Sequence, residues 1–419
     1  MDKLVIEGGR ELSGTIRISG AKNAALPILS AVILADGEYN ISEAPELVDI
    51  ATMLKLLNEF GISSERTGKS VKINSQYNHE GYIAPYELVK TMRASVLALG
   101  PLLARKGRAK VSLPGGCAIG ERPVDLHLKA LEAMGAKIVV EHGYIYAECP
   151  KLKGAIINFD IVTVTGTENI MMAACLADGE TVLRNAAQEP EVVDLARFLK
   201  KMGARITGEG TSEIRIMGVE KLYSTDYSIM PDRIEAGTFI CCVGAAGGSV
   251  EITNVPVDVM RTTLDKIAET GLQIDRINST TIRVTKTKPL VSTDVSTAPY
   301  PGFPTDMQAQ FMSLMTVGNG FSVVTENIFE NRFMHVAELK RMGADIKLKD
   351  KSAMIRGVKG LTGAPVMASD LRASASLVIA ALMADGKTEI SRLYHLDRGY
   401  EDFVEKLSGA GASLARVKE

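Results

Sequence analysis

No charge of one sign dominates this chain, no apolar run is long, and its few cysteines form no recognisable set. The formal charge is −2 over 419 residues, with no extended basic stretch. That balance excludes an electrostatic footprint for nucleic acid. The most apolar stretch, Phe239 to Val250, is short and glycine-rich. No membrane span is expected from it. The five cysteines (Cys117, Cys149, Cys175, Cys241 and Cys242) show neither a CxxC pair nor a metal-ligand spacing. No His/Cys/Asp cluster has such spacing either, so neither a metal nor an organic cofactor is expected. Met1–Glu7 reads as the start of a strand, without the apolar core of a signal peptide. An odd number of cysteines without a secretory signal fits free thiols in a reducing cytoplasm. What is present is a 46% hydrophobic, near-neutral sequence. It should fold as a soluble protein of two to three domains.

Internal repetition is the strongest pattern. A glycine followed four residues on by an apolar–Ser/Thr/Arg pair recurs at Gly37, Gly107, Gly179, Gly248, Gly320 and Gly386, at steps of 70, 72, 69, 72 and 66 residues. A second glycine follows each: Gly61, Gly135, Gly203, Gly271, Gly343 and Gly411. Each second glycine closes an amphipathic segment such as Leu195–Met202, and an alternating segment follows. The apolar spacing predicts a helix, the glycine its left-handed C-terminal residue, and the alternation a strand. The segments ahead of the first glycines, such as Ala24–Ala35 and Ala375–Met383, are apolar nearly all round. Helices of that kind are buried, with strands outside them. Six α/β units of about 70 residues exceed what one core usually holds, so a division into three plus three is expected. The boundaries expected are 22–229 for one domain and 1–21 plus 230–419 for the other.

The starts of the buried helices carry charge or hydroxyls: Lys22 and Asn23, Arg93, Thr165, Asp232, Asp306, and Asp370 with Arg372. Each lies 14 to 16 residues ahead of its first glycine. Capping is the plain explanation for Ser19, Ser369 and Asp232. It does not account for Lys22, Arg93 and Arg372, because a cation opposes the positive end of the helix dipole. An anion between cation and helix would reconcile them. The second-helix starts add Arg122, Arg332 and Arg398, which together suit a substrate rich in phosphate or carboxylate. If the helices of each half run parallel, all six starts should open onto one crevice.

One repeat is longer than the rest. The two glycines lie 23 to 25 residues apart in five copies and 28 apart from Gly107 to Gly135. The extra residues fall in Pro114–Arg122, a glycine-flanked loop with Cys117 at its tip. Such a loop is a candidate lid with a reactive thiol near a guanidinium. Its bland alternative is a small apolar cysteine in a turn.

Ser19–Ala25, Pro114–Gly120, Arg122–Leu126, Gly302–Gln310 and Glu330–His335 resemble segments of the enolpyruvyl transferases, and the resemblance covers the whole chain. It implies two inside-out α/β barrel domains, each of three βαβαββ units with pseudo-threefold symmetry, and an active site in the cleft between domains. It implies transfer of the enolpyruvyl group of phosphoenolpyruvate to the 3′-hydroxyl of UDP-N-acetylglucosamine, with loss of phosphate, as the first committed step of bacterial peptidoglycan synthesis. Asp306 would be the base. Cys117 would protonate or transiently bond phosphoenolpyruvate and would be alkylated by fosfomycin. Lys22, Arg93, Arg122 and Arg398 would surround phosphoenolpyruvate. Asn23 and Ile328 would touch the sugar, and Arg122, Pro123, Val124, Asp125 and Leu126 the uridine. Thr163 and Thr165 would face the diphosphate, and Asp370 and Arg372 would lie near the reacting centre, with Arg332 among the anion-binding cations. The family often has a lysine just before Thr163, where this chain has Asp160–Val162. Backbone N–H groups and hydroxyls are expected to meet the diphosphate instead. The rival readings are an enzyme acting on shikimate 3-phosphate, whose family pattern lacks the cysteine loop, and a non-catalytic nucleotide-sugar-binding relative.

Overall fold

The computed structural model describes residues 2–76, 81–90, 92–113 and 124–418. Cys117, Arg122 and Pro123 therefore lie outside the described residues, as do the expectations resting on them.

The repeat is visible in the sheets. In the third copy Ile156–Asn158 runs parallel to Glu180–Arg184, and the helix Val164–Ala174 makes the crossover between them. Glu180–Arg184 also pairs antiparallel with Glu213–Met217, which pairs with Arg205–Thr207. The amphipathic helix Pro190–Lys201 precedes that hairpin. Six four-stranded sheets follow this plan, giving the βαβαββ unit that the resemblance implied. The residues alone pointed to one strand after each helix. They missed the short parallel strand at the sheet edge, which is only two residues long at Ile83–Ala84 and Val295–Ser296.

Three copies borrow a strand from far along the chain. Tyr227–Ser228 supplies the parallel edge of the first sheet, beside Gly37–Ser42. In the fourth sheet Leu12–Arg17 supplies the parallel edge beside Gly248–Thr253. Asp2–Glu7 fills an interior position of the sixth sheet, antiparallel to both Lys387–Ser391 and Ser413–Lys418.

The glycine markers do what their positions required. Gly61, Gly135, Gly203, Gly271, Gly343 and Gly411 all have positive φ, between 81° and 105°. A side chain there would meet the following carbonyl, so glycine is the inexpensive choice. The copies agree even where glycine is absent. Glu43, Asn185, Asn254 and Arg392, each just after the first long strand of its copy, take φ of 54° to 61°.

The described residues form two compact units, one from Gly20 to Met230 and one comprising the stretch up to Ser19 with Pro231 onward. Each has its own hydrophobic core. In the first, Lys22–Ala31, Leu99–Lys106 and Val164–Ala174 are the buried helices; in the second, Arg233–Ala246, Gln308–Met315 and Leu371–Leu382. Strands alternate buried and exposed residues around them, as in Glu213–Met217. Helices are thus inside and sheets outside within each unit, because a helix apolar on every side has no face to give to water. Gly100 permits one close crossing: a Cβ there would lie 2.3 Å from Asn169 Oδ1 and 2.4 Å from the Asn169 carbonyl oxygen.

Candidate functional site

The sequence-predicted residues are divided between the two units, and each unit holds a buried ion pair among them. In the second unit it is built on Asp306, in the first turn of the helical segment Thr305–Met315. Arg332 Nη2 donates to Asp306 Oδ1 at 2.7 Å and Arg372 Nη2 donates to Oδ2 at 2.9 Å. Both arginine side chains are at most 5% exposed, whereas the aspartate keeps 26%. Burial pushes the Asp306 carboxyl up, but the charges and hydrogen bonds of Arg372 and Arg332 outweigh it and hold it well below the carboxylate range. Asp306 is thus a fixed carboxylate, reachable from outside, with its protonation strongly disfavoured. Burial alone would lower the Arg372 pKa, yet Tyr400 and Asp306 raise it, and its guanidinium lies 5.4 Å from the Tyr400 ring centroid.

Around this triad lies a polar frame that sequence reasoning missed. Arg332 Nη1 donates to Thr305 Oγ1, which donates to Glu326 Oε2. Glu326 is 1% exposed and also accepts from Thr297 Oγ1 and from the backbone N–H of Ile328 and Phe329. Gln310 Nε2 reaches the Asp306 carbonyl at 2.8 Å and the Tyr400 hydroxyl at 3.3 Å. Gln310 lies inside the segment that carried the family resemblance, and Glu326 lies just ahead of Ile328. Inspecting those segments for buried polar types was the available signal.

Asp370 caps the helix Leu371–Leu382 by accepting from the N–H of Arg372 and Ala373. Asp232 caps Arg233–Ala246 in the same way. Capping by Ser19 and Ser369 is not found. The helix beginning at Lys22 has Ala21 at its cap position, and Ser19 instead donates to Glu401 and accepts from Lys406. Ser369 lies one residue too early and donates to Asp370. Arg398 is half-buried at the end of the 3-10 turn Leu393–Arg398.

In the first unit Lys22, 11% exposed, pairs with the buried Asp49 at 3.3 Å. The cation at this helix start, like Arg372, thus faces a carboxylate of the chain itself. Asp49 stands in the first turn of Val48–Glu59, the second helix of its copy. Comparing acids as well as bases across the copies would have found it. Asn23 is exposed beside Lys22, and Arg93 begins the 3-10 turn Arg93–Ala98 that leads into Leu99–Lys106. Thr163 caps Val164–Ala174 by accepting from the Gly166 N–H at 3.2 Å. Thr165 Oγ1 is 3.3 Å from Nε2 of His127, which lies on Asp125–Ala133, the helix following the Cys117 loop. Of the expected uridine segment, Val124 is half-buried, Leu126 is buried, and Asp125 is exposed and paired with Lys129.

Among the described residues no group of three or more His, Cys, Asp or Glu could hold a metal ion, and no helix is long and apolar enough to cross a membrane. The four described cysteines are buried and free, and burial raises Cys175 to about 12. None of them is a reactive thiol of the kind expected at Cys117.

Comparison with known proteins agrees along the full length. The family described as EPSP synthase (3-phosphoshikimate 1-carboxyvinyltransferase) matches residues 6–407. Curated proteins named UDP-N-acetylglucosamine 1-carboxyvinyltransferase are 57% identical in Desulfosudis oleivorans, 59% in Nitratidesulfovibrio vulgaris and 56% in Geobacter metallireducens, with all of both chains covered. Among solved structures, the enolpyruvyl transferase NikO of Streptomyces tendae shares the fold at TM-score 0.89 and 24% identity, covering 100% of this chain and 99% of its own. EPSP synthase of Acinetobacter baumannii shares it at TM-score 0.78 and 21% identity, covering both chains fully. The chain belongs to the EPSP synthase family of enolpyruvyl transferases.

Proposed function

We propose that this chain transfers the enolpyruvyl group of phosphoenolpyruvate to the 3′-hydroxyl of UDP-N-acetylglucosamine in the cytoplasm. The observation that carries the reading is 55–59% identity, over essentially the whole length, to curated proteins bearing that activity's name. In the reaction the sugar oxygen adds to C2 of phosphoenolpyruvate while C3 gains a proton. Loss of phosphate from C2 and of a proton from C3 then restores the double bond. The chemistry needs a proton acceptor for the hydroxyl, a donor for C3, and fixed cations for phosphate and carboxylate.

Asp306 suits the acceptor, with one qualification that its surroundings impose. A carboxylate held by two buried guanidinium groups binds a proton weakly. An anionic substrate drawing on the same guanidinium charges would return basicity to Asp306 when the hydroxyl is in place. Lys22, Arg93, Arg122 and Arg398 are assigned to the anionic groups of phosphoenolpyruvate, and Cys117 to the proton donor and the point of fosfomycin attack. Asn23 and Ile328 are assigned to the sugar, Arg122–Leu126 to uridine, and Thr163 with Thr165 to the diphosphate. Asp370 supports this reading as the cap that orients Arg372.

Phosphate release tests the proposal. Phosphoenolpyruvate should yield phosphate only when UDP-N-acetylglucosamine is added, and release with shikimate 3-phosphate instead would sink it. Asp306→Asn should lower kcat by about 10²–10⁴-fold while calorimetry still detects nucleotide-sugar binding. Intact-mass analysis after fosfomycin should place one adduct on Cys117.

A further inference from the structure

Buried beneath the start of Val164–Ala174 is a histidine that the reaction scheme does not use. His127 is 2% exposed, and its two ring nitrogens have different partners: Asn169 Nδ2 at 2.9 Å from Nδ1, and Thr165 Oγ1 at 3.3 Å from Nε2. Which nitrogen carries the proton follows from the amide next to it. Asn169 Oδ1 lies 2.7 Å from the Gly100 N–H, a group that can only donate. Asn169 Nδ2 lies 3.1 Å from the Val96 carbonyl, a group that can only accept. Two independent backbone partners thus fix the amide orientation, and Nδ2 must donate to His127 Nδ1. The histidine proton is therefore on Nε2, and Nε2–H donates to Thr165 Oγ1. Burial, reinforced by Arg93, lowers the His127 pKa to about 4, so the neutral ring persists at working pH.

A threonine hydroxyl that accepts one hydrogen bond has its own proton free to donate. The Gly166 N–H of the same turn already serves Thr163, and the Thr167 N–H serves the Thr163 carbonyl. The hydroxyl proton of Thr165 is a further donor at this turn, where the sequence lacks the lysine usual in the family.

We propose that His127 is a positioning residue that fixes the Thr165 hydroxyl as a donor toward the anionic diphosphate of the nucleotide sugar. The inference rests on the proposed reaction. It extends it by linking the helix after the Cys117 loop to the diphosphate-facing turn through one neutral imidazole. The Asn169 end is equally determined, because only a glycine at position 100 lets the Asn169 amide reach the neighbouring backbone.

Steady-state kinetics with His127→Asn, Thr165→Val, the double variant and His127→Gln test the role. Asparagine keeps an acceptor near Nδ1 and loses the donor near Nε2, whereas glutamine can supply that donor. Losing a hydrogen bond to a charged ligand should raise KM for the nucleotide sugar about 10-fold in either His127→Asn or Thr165→Val, with kcat little changed. The double variant should be no worse than either alone, and His127→Gln should recover most of the affinity. Nitrogen NMR of the histidine rings should show Nε2 protonated and no titration between pH 5 and 8. Absence of phosphate release by the unaltered enzyme would overturn the reaction itself. Normal turnover with multiplying effects of the two substitutions, or an Nδ1-protonated His127, would overturn the positioning role alone.

Discussion

At the scale of single residues, the balance between burial and charge decides chemistry. Asp306 and Asp194 are both aspartates in polar surroundings, yet they shift in opposite directions. Two guanidinium groups hold Asp306 low, whereas burial lifts Asp194 to about 6 despite its hydrogen bonds from Tyr227 and from the Met230 N–H. An acid raised on folding binds its proton more tightly in the native state. Its contribution to stability is fullest below the unfolded value of 3.8 and is lost as pH rises to about 6. His127 and His335, each lowered to about 4, act in the reverse sense over a similar range. A single stability profile therefore hides both, and a difference between variants separates them. Asp194→Asn should gain on the unaltered protein by up to about 2–3 kcal/mol between pH 4 and 6.5, read as a Tm difference that widens and then levels. A pH-independent difference would refute the assignment. Residue types and cation positions were legible in the sequence, but partners were not. Lys22 and Arg372 stood out because a cation at a helix start needs an anion, and the anions proved to include Asp49 and Asp306, 27 and 66 residues away. Capping by Ser19 and Ser369 failed because a cap depends on the helix start to the residue, which pattern alone leaves uncertain.

At the scale of elements, the periodic glycines revealed nearly everything. Helix ends and the strands after them follow from local backbone chemistry, which sequence displays directly. The short parallel edge strands have too few residues for an alternating pattern, so only the sheet reveals them. Helix crossings are likewise set by contacts across the unit. Gly100→Ala should destabilise by about 1–3 kcal/mol, because the new methyl group would meet Asn169 backbone and amide. Gly237→Ala meets only the flexible Met307 side chain, 2.7 Å away at its sulfur. It should cost less, and denaturant midpoints for the two variants provide the comparison. Equal losses would show that the Asn169 side of the first crossing can relax.

At the scale of the whole molecule, the chain passes between its two compact units after Ser19 and again after Met230. The expected three-plus-three division came from counting copies and from the size limit of a core. The loan of Asp2–Glu7 to the sixth sheet was invisible, because a strand carries no mark of its partner. Removing residues 1–8 should leave that sheet without an interior strand. Limited proteolysis of the truncated protein should then leave a resistant fragment spanning roughly Gly20 to Met230, while the remainder is digested. Uniform survival of the whole chain would mean that the sixth sheet tolerates the loss.

The same borrowed strand has a consequence during synthesis. Leu4 cannot meet Arg416 until all the residues between them have been translated. The described strands of the unit from Gly20 to Met230 pair only with one another, so that unit can close its core while the ribosome is still making the rest. Asp2–Glu7 therefore waits for both of its partners while the intervening residues are made. Its exposed edges must stay unpaired in the meantime, and that interval is when the nascent chain has most need of a chaperone.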